Sequence, residues 1–327
     1  MPAEEILLSV LRFVIVLVLA GCNGGRAGPS DISPDSSAHV LGGPLSPGTS
    51  YFGRSEYIEY IAGNLPVIFT APHGGALVPG EIPDRTASAC GGVATTVRDT
   101  NTQELARDVA AAFFERTGKY PHIVINRLHR RKLDANRAEL EAACGASAAR
   151  AAWAEFHAFT DSAKGRARAD FGRGWLTDLH GHGHAVARLE LGYLLEPEDL
   201  RETDATLDGT NAFEDESSLR TFSRQSPLSF SALLRGPTSF GTLLGNAGYR
   251  SVPSAQDRAP ASGEEYFSGG YITDRHGCAR GGDICAVQIE SNFGGVRDTP
   301  ASRAAFAAAL VRAYETYLTQ FGIRVMP

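Results

Sequence analysis

From about Tyr51 onward the sequence alternates short apolar runs with longer stretches of helical periodicity, and no other feature restricts the fold as tightly. "LPVIFTAPHGG" is a β-branched run cut off by Pro72 and glycines, so it reads as a strand followed by a loop. "TNTQELARDVAAAFFERTG" places Leu105, Val109, Ala112 and Phe113 at helical spacing and stops at Gly118. "HIVINRLHR" is a second strand with its exit, and "AARAAWAEFHAFTDSAKGRARADFG" is a helix with Trp153, Phe156 and Phe159 on one side. "GWLTDLHGHGH" gives a third strand, "ARLELGYLL" a fourth and "CAVQIESNF" a later one. "TPASRAAFAAALVRAYETYLTQFG" closes the chain as a helix, with Thr299 as its cap and Pro300 in its first turn. Phe306, Leu310, Tyr314, Tyr317 and Leu318 form its apolar stripe. Strands alternating with helices predict a single-domain α/β sandwich of three layers around a mixed, mostly parallel sheet. The polar segment from Pro197 to Ala261 lacks periodicity and reads as loops and short helices beside that sheet, not as a second domain.

Composition excludes one large class of function. Asp and Glu number 37 against 31 Lys and Arg, and no basic block occurs, so nucleic acid is not an expected partner. The first residues are more informative. "ILLSVLRFVIVLVLAGC" is an apolar run of signal-peptide length, too short for a stable membrane span. It ends in Leu19-Ala20-Gly21-Cys22, which resembles the lipobox of bacterial lipoproteins, although Glu4 and Glu5 stand where basic residues are usual and only Arg12 is positive. That resemblance implies a signal peptide over residues 1–21 and acylation of Cys22, the only attachment to a membrane. It implies an exported protein anchored in the cell envelope, at the outer membrane of a double-membraned cell because Asn23 replaces the aspartate of inner-membrane retention. Residues 22–50, rich in Gly, Ser, Pro and Asp, read as a flexible tether, and 51–327 as the catalytic-sized domain.

Four cysteines remain in that domain, and export permits disulfides. Cys278 and Cys285 close the short loop "CARGGDIC", and Cys90 with Cys144 follows by elimination. Without a Cys-x-x-Cys pair, metal binding by these thiols is not expected.

Polar residues recur where the predicted strands end. His73 follows the first, Arg130 and the segment Asp134 to Arg137 follow the second, His180 ends the third and Glu290 ends the late one. In open α/β sheets the ligand crevice lies at the carboxyl ends of the strands, so these scattered residues are expected to converge.

Six segments, "APHGG", "RDTNTQELA", "HRRKLDANR", "TDLHGHGH", "FSGGYITDRHG" and "VQIESN", follow in an order that resembles the N-formylglutamate amidohydrolase family, over roughly Pro66 to Arg297. That family is akin to zinc carboxypeptidases and aspartoacylase in fold and site layout. The resemblance implies one Zn2+ ion held by His73, His180 and an acidic residue, with water completing an open site. The acid maps onto Asp99. Glu81, Asp84 and Glu104 are alternatives, because position 76, where the carboxypeptidase spacing places glutamate, is Ala76. Glu290 maps onto the general base and Arg130, or its neighbour Arg131, onto the oxyanion stabiliser. Asn136 and Arg137 map onto recognition of the substrate carboxylate, with Asp134 orienting Arg137 and Asp178 orienting a ligand imidazole.

Three histidines, His180, His182 and His184, alternate with glycine. On a strand such pairs share a face, so His180 with His182, or His182 with His184, could also chelate a metal. His180 fits the family's Asp-x-His pattern, while His182 is expected to face the same cleft and touch substrate, and His184 to stand aside. His122, His129 and His157 read as surface or hydrogen-bonded residues. The implied activity is hydrolysis of an N-acyl amide next to a carboxylate, on a small acyl amino acid or a peptide. The alternatives are an envelope peptidase, poly-γ-glutamate hydrolase or cell-wall peptide amidase, and a zinc- or solute-binding lipoprotein without catalysis. Gly74 and Gly181 stand where serine is frequent in the family, which favours the larger substrates, whereas a pure binder has no need of Glu290.

Overall fold

The computed structural model describes residues 41 and 43–325. The expected signal peptide, the anchor at Cys22 and the first part of the tether lie outside the described residues. Among the described residues, eight strands form one sheet: β1 (Ser50–Phe52), β2 (Ile58–Ile61), β3 (Val67–Ala71), β4 (His122–Asn126), β5 (Gly174–Gly181), β6 (Leu189–Gly192), β7 (Ser251–Val252) and β8 (Ile284–Ser291). Their order is β1-β2-β4-β3-β5-β8-β6-β7. The centre, β4-β3-β5-β8, is parallel throughout, whereas β1, β2 and the β6–β8 pairing are antiparallel.

Both faces of the centre are covered, which explains why its strands read as nearly continuous apolar runs. Val67, Phe69 and Ala71 point to the layer made by the helices Thr102–Thr117 and Pro300–Thr319, while Ile68 points to the helix Ser147–Phe171 on the other side. Trp175 is fully buried on the first face, 5.4 Å from Tyr317 and 6.0 Å from Phe222 between ring centroids. The hydroxyl of Thr299 accepts from the Ser302 N–H and caps the last helix, and all five residues of its expected stripe are buried. The three-layer α/β sandwich with a mixed sheet is thus the observed architecture. The Pro197–Ala261 segment forms short helices from Pro197–Arg201 to Phe240–Asn246 and also supplies β7.

Two expectations need correcting. The domain begins before residue 51: Ser50 already pairs with Ile61, Gly48 donates to the Ala62 carbonyl at 2.8 Å, and Leu41 and Leu45 pack on the core. The third strand ends at Gly181, not at His184, with consequences for His182 given below. Disulfides join Cys90 to Cys144 and Cys278 to Cys285, as expected from the even count. Among the described residues no helix is long and apolar enough to cross a membrane.

One buried side chain couples the fold to pH. His122 is 1% exposed, and its Nδ1 accepts from the Gly63 N–H at 3.0 Å and lies 2.7 Å from the Tyr60 hydroxyl. Burial, with a smaller contribution from Arg166, holds its pKa down to about 4. Below its unfolded value of about 6.5 the unfolded chain takes up a proton that the folded chain refuses, so stability falls as pH drops from 6.5 toward 4. At pH 5 the loss is about 2 kcal/mol. His122→Asn keeps an acceptor and removes the titration. Urea unfolding at pH 7.5 and pH 5 is expected to show a stability difference about 2 kcal/mol smaller in the variant.

Candidate active site

The parallel centre delivers four chain exits to one edge of the sheet. His73 lies just beyond β3, and the segment from Arg130 to Arg137 follows β4. His180 stands near the end of β5, in register with Glu290 on β8. Asp99 arrives from the loop before the helix Thr102–Thr117, where its N–H donates to the His73 carbonyl at 3.1 Å. Gly74 makes this approach possible, since a Cβ there would stand 2.6 Å from both the Gln103 nitrogen and the Thr102 hydroxyl. The Asn126 amide donates to the carbonyl of Pro72 at 2.8 Å and so ties the β4 exit to the His73 turn.

His73 and His180 are held in matching ways. His73 Nε2 lies 2.6 Å from Asp134 Oδ1, and His180 Nε2 lies 2.7 Å from Asp178 Oδ2. Asp178 is itself fixed by the Thr70 hydroxyl at 2.7 Å. A carboxylate on one ring nitrogen keeps the proton there and turns the other nitrogen's lone pair outward. The two outward atoms, His73 Nδ1 and His180 Nδ1, converge on Asp99 Oδ2 at 3.3 and 3.2 Å. These three atoms lie close enough together to hold one metal ion between them. Burial alone would depress His180, yet Asp178 and Glu290 raise its pKa well above normal, so the surrounding carboxylates favour positive charge at this position. Burial likewise opposes ionisation of Asp99, but His73 and His180 hold it well below the usual carboxylate range. Two imidazoles and one carboxylate, each backed by its own partner, fit an open zinc site.

Around this triad lies a small concave pocket of about 100 Å³, walled by Arg130, Asn136, Arg137, Phe267, Gly269, Gly270, Gln288 and Glu290. Glu290 Oε1 is 3.8 Å from His180 Nδ1 and accepts from Gln288 Nε2 at 3.0 Å. Burial pushes its pKa up to about 8, with His180 opposing and Asp99 and Glu190 adding to the rise. Arg130 donates through Nε to Asp134 at 2.9 Å and through one terminal nitrogen to Asp99 at 3.4 Å, which leaves its other terminal nitrogen for the pocket. Arg137 gives one N–H to the Asn136 carbonyl at 2.9 Å and lines the cavity.

The structure therefore brings together His73, Asp99, His180, Glu290, Arg130, Asn136 and Arg137, with Asp134 and Asp178 behind the imidazoles. Asp134 orients His73 and Arg130 rather than Arg137. Asn136 is committed within the wall: its Oδ1 accepts from the Ile272 N–H at 2.8 Å and its Nδ2 lies 3.4 Å from Gln288 Oε1. The rival acids lie elsewhere. Glu81 bonds the Tyr57 hydroxyl, Asp84 pairs with Lys132 at 2.7 Å, and Glu104 engages Gln103. Arg131 turns to Asp84 at the surface.

His182 does not line the pocket. Its Nε2 bonds the Arg188 carbonyl at 2.8 Å, and its Nδ1 accepts from the His184 N–H at 3.1 Å. His184 Nδ1 lies 3.0 Å from Glu190 Oε1, whose other oxygen accepts from the Phe267 N–H. His182, His184 and Glu190 are close enough to share an ion, but each is closed by its own hydrogen bonds. Sequence reasoning gave no role to Glu190, which lies next to Glu290 across the β6–β8 pairing, or to the buried Arg297.

No family model matches the chain, and no curated protein matches it. Among solved structures, N-formylglutamate amidohydrolase from Ralstonia eutropha JMP134 is similar at 15% identity and a TM-score of 0.44, the match covering 80% of this chain and 95% of that one. The N-acetylmuramyl-L-alanine amidase Ami1 from Mycobacterium smegmatis is similar at 14% identity and a TM-score of 0.35, over 77% of this chain and 96% of that one. The Ami1 amidase from Mycobacterium abscessus follows at 10% identity and a TM-score of 0.32, over 77% and 98%. The site is assigned from its own geometry.

Proposed function

We propose that this chain is a zinc-dependent hydrolase that cleaves an N-acyl amide bond next to a carboxylate, with N-formylglutamate-like compounds as substrates. The observation that carries this reading is the convergence of His73 Nδ1, His180 Nδ1 and Asp99 Oδ2 beside a buried glutamate and two arginines. Zinc held by these three residues would supply Lewis-acid polarisation of the scissile carbonyl and a more acidic water. Glu290 takes the proton from the attacking water and returns it to the leaving nitrogen. Arg130, held rigid by Asp134 and Asp99, directs its remaining N–H groups at the oxygen that gains negative charge. Arg137 grips the substrate carboxylate, and Gly269 and Gly270 shape the pocket wall, where a side chain would collide with Leu194 and Asn136. The expected anchor at Cys22 would keep this activity in the cell envelope, where acyl amino acids and peptides, and no nucleic acid, are its partners.

The test strips the protein of metal, reloads it with zinc and measures formate release from N-formyl-L-glutamate. Release restored by zinc supports the whole reading. Cleavage of γ-linked glutamyl peptides in place of the formyl compound would keep the chemistry and replace the substrate. Failure on both would overturn the hydrolase assignment.

Arg137 gives a sharper check on the substrate class. Removing one partner of a desolvated charge pair costs about 2–5 kcal/mol, so Arg137→Ala is expected to lower kcat/KM roughly 30-fold or more. Arg137→Lys should recover only part, because an ammonium cannot make the two-pronged contact. With a substrate whose carboxylate is amidated, steady-state kinetics should show little difference among the three proteins.

A further inference from the structure

Arg297 lies outside every motif read in the sequence, yet it is 5% exposed and bonded on all sides. Its Nε donates to the Ser291 carbonyl at 3.1 Å, and its two terminal nitrogens donate to the carbonyls of Thr100 at 2.7 Å and His182 at 3.0 Å. Thr100 follows Asp99, Ser291 follows Glu290, and His182 stands two residues after His180. One guanidinium thus ties together the backbones that carry three of the pocket's acid and imidazole groups, from segments far apart in the chain. The tie is returned: Asn101, whose left-handed backbone (φ 69°) suits asparagine, donates from its side chain to the Arg297 carbonyl at 2.7 Å.

The residue type is specific to this task. Only the arginine fork can reach three acceptors in different directions from one rigid plane. Burying its charge is costly, and three carbonyls together with the nearby Asp99 and Glu290 offset that cost. Gly181 completes the fit, because a Cβ there would stand 2.3 Å from the Arg297 Cζ and 2.4 Å from its Nε.

We propose that Arg297 is a positioning residue that sets the mutual placement of Asp99, His180 and Glu290, and through it the affinity of the site for its metal. This rests on the metal reading above. The test measures zinc affinity of the metal-free protein by competition with a chromophoric chelator. Partners that orient ligands are worth 10- to 100-fold in metal affinity, and Arg297→Ala is expected to lose about that much. Gly181→Ala leaves every ligand and the guanidinium charge in place but displaces the fork, so it should lose affinity on the same scale. It also carries the test if Arg297→Ala folds poorly. In the double variant the added methyl group has no guanidinium to displace, so the loss should not exceed that of Arg297→Ala alone. Zinc affinity equal to wild type in both single variants, or losses that simply add in the double variant, would overturn the proposal. A wild type that binds no zinc would overturn the metal reading and this inference together, which separates the two failures.

Discussion

Glu290→Gln is expected to lower kcat by about 10³-fold while leaving zinc bound as tightly as in the wild type. Positioned acid–base groups contribute roughly 10²- to 10⁴-fold, and Glu290 has the placement for the larger end of that range. It stands in register with His180, its carboxylate meets the triad at the pocket floor, and Gln288 holds one oxygen at 3.0 Å. The substitution preserves size and lets the Gln288 contact persist, so shape and metal coordination stay intact while the proton acceptor disappears. The check is a pair of measurements on one preparation, zinc content and turnover. A variant with zinc bound and less than a tenfold loss in kcat would remove Glu290 from the mechanism without touching the metal site.

His180→Ala is expected to have the second large effect, and it acts on binding and stability at once. The ring joins three carboxylates: Asp178 at 2.7 Å, Asp99 at 3.2 Å and Glu290 at 3.8 Å. Removing it takes away one of the three proposed metal ligands, so zinc affinity should fall by more than the 10- to 100-fold that losing an orienting partner costs. It also leaves Asp178 fully buried, with the Thr70 hydroxyl as its remaining side-chain partner. Breaking a buried charge pair from one side costs about 3–5 kcal/mol, so the metal-free variant should unfold at clearly lower denaturant. Asp178→Asn separates the two contributions: it keeps the ligand, disturbs the proton on Nε2 and should cost about 10- to 100-fold in zinc affinity. Chelator competition and urea unfolding on both variants give the comparison.

Much of the site was legible because the sheet's centre is parallel. Residues at the ends of β3, β4, β5 and β8 come to one edge whatever the sequence distance between them, and short motifs marked which side chains mattered there. The same reasoning fails past the strand end. The period-two rule placed His182 in the cleft on the assumption that the strand runs on to His184. β5 stops at Gly181 because its partner β8 ends at Ser291, and the Arg297 fork then takes the His182 carbonyl. Arg297 itself was invisible, since its role depends on three backbone carbonyls and on no neighbouring side-chain pattern. β1 and β2 were missed for a different reason. They span only three and four residues, and Glu59, buried and paired with Arg107, breaks the apolar run that would have marked β2.

The central claim is that His73, Asp99 and His180 together hold one zinc ion per chain. Calorimetric titration of zinc into the metal-free protein tests it most directly, with His73→Ala and a His182→Ala/His184→Ala double variant in parallel. One tightly bound zinc in the wild type and in the double variant, and none at comparable affinity in His73→Ala, is the predicted result. Zinc binding that survives His73→Ala and disappears in the double variant would place the metal on the neighbouring His182, His184 and Glu190 cluster and contradict the assignment.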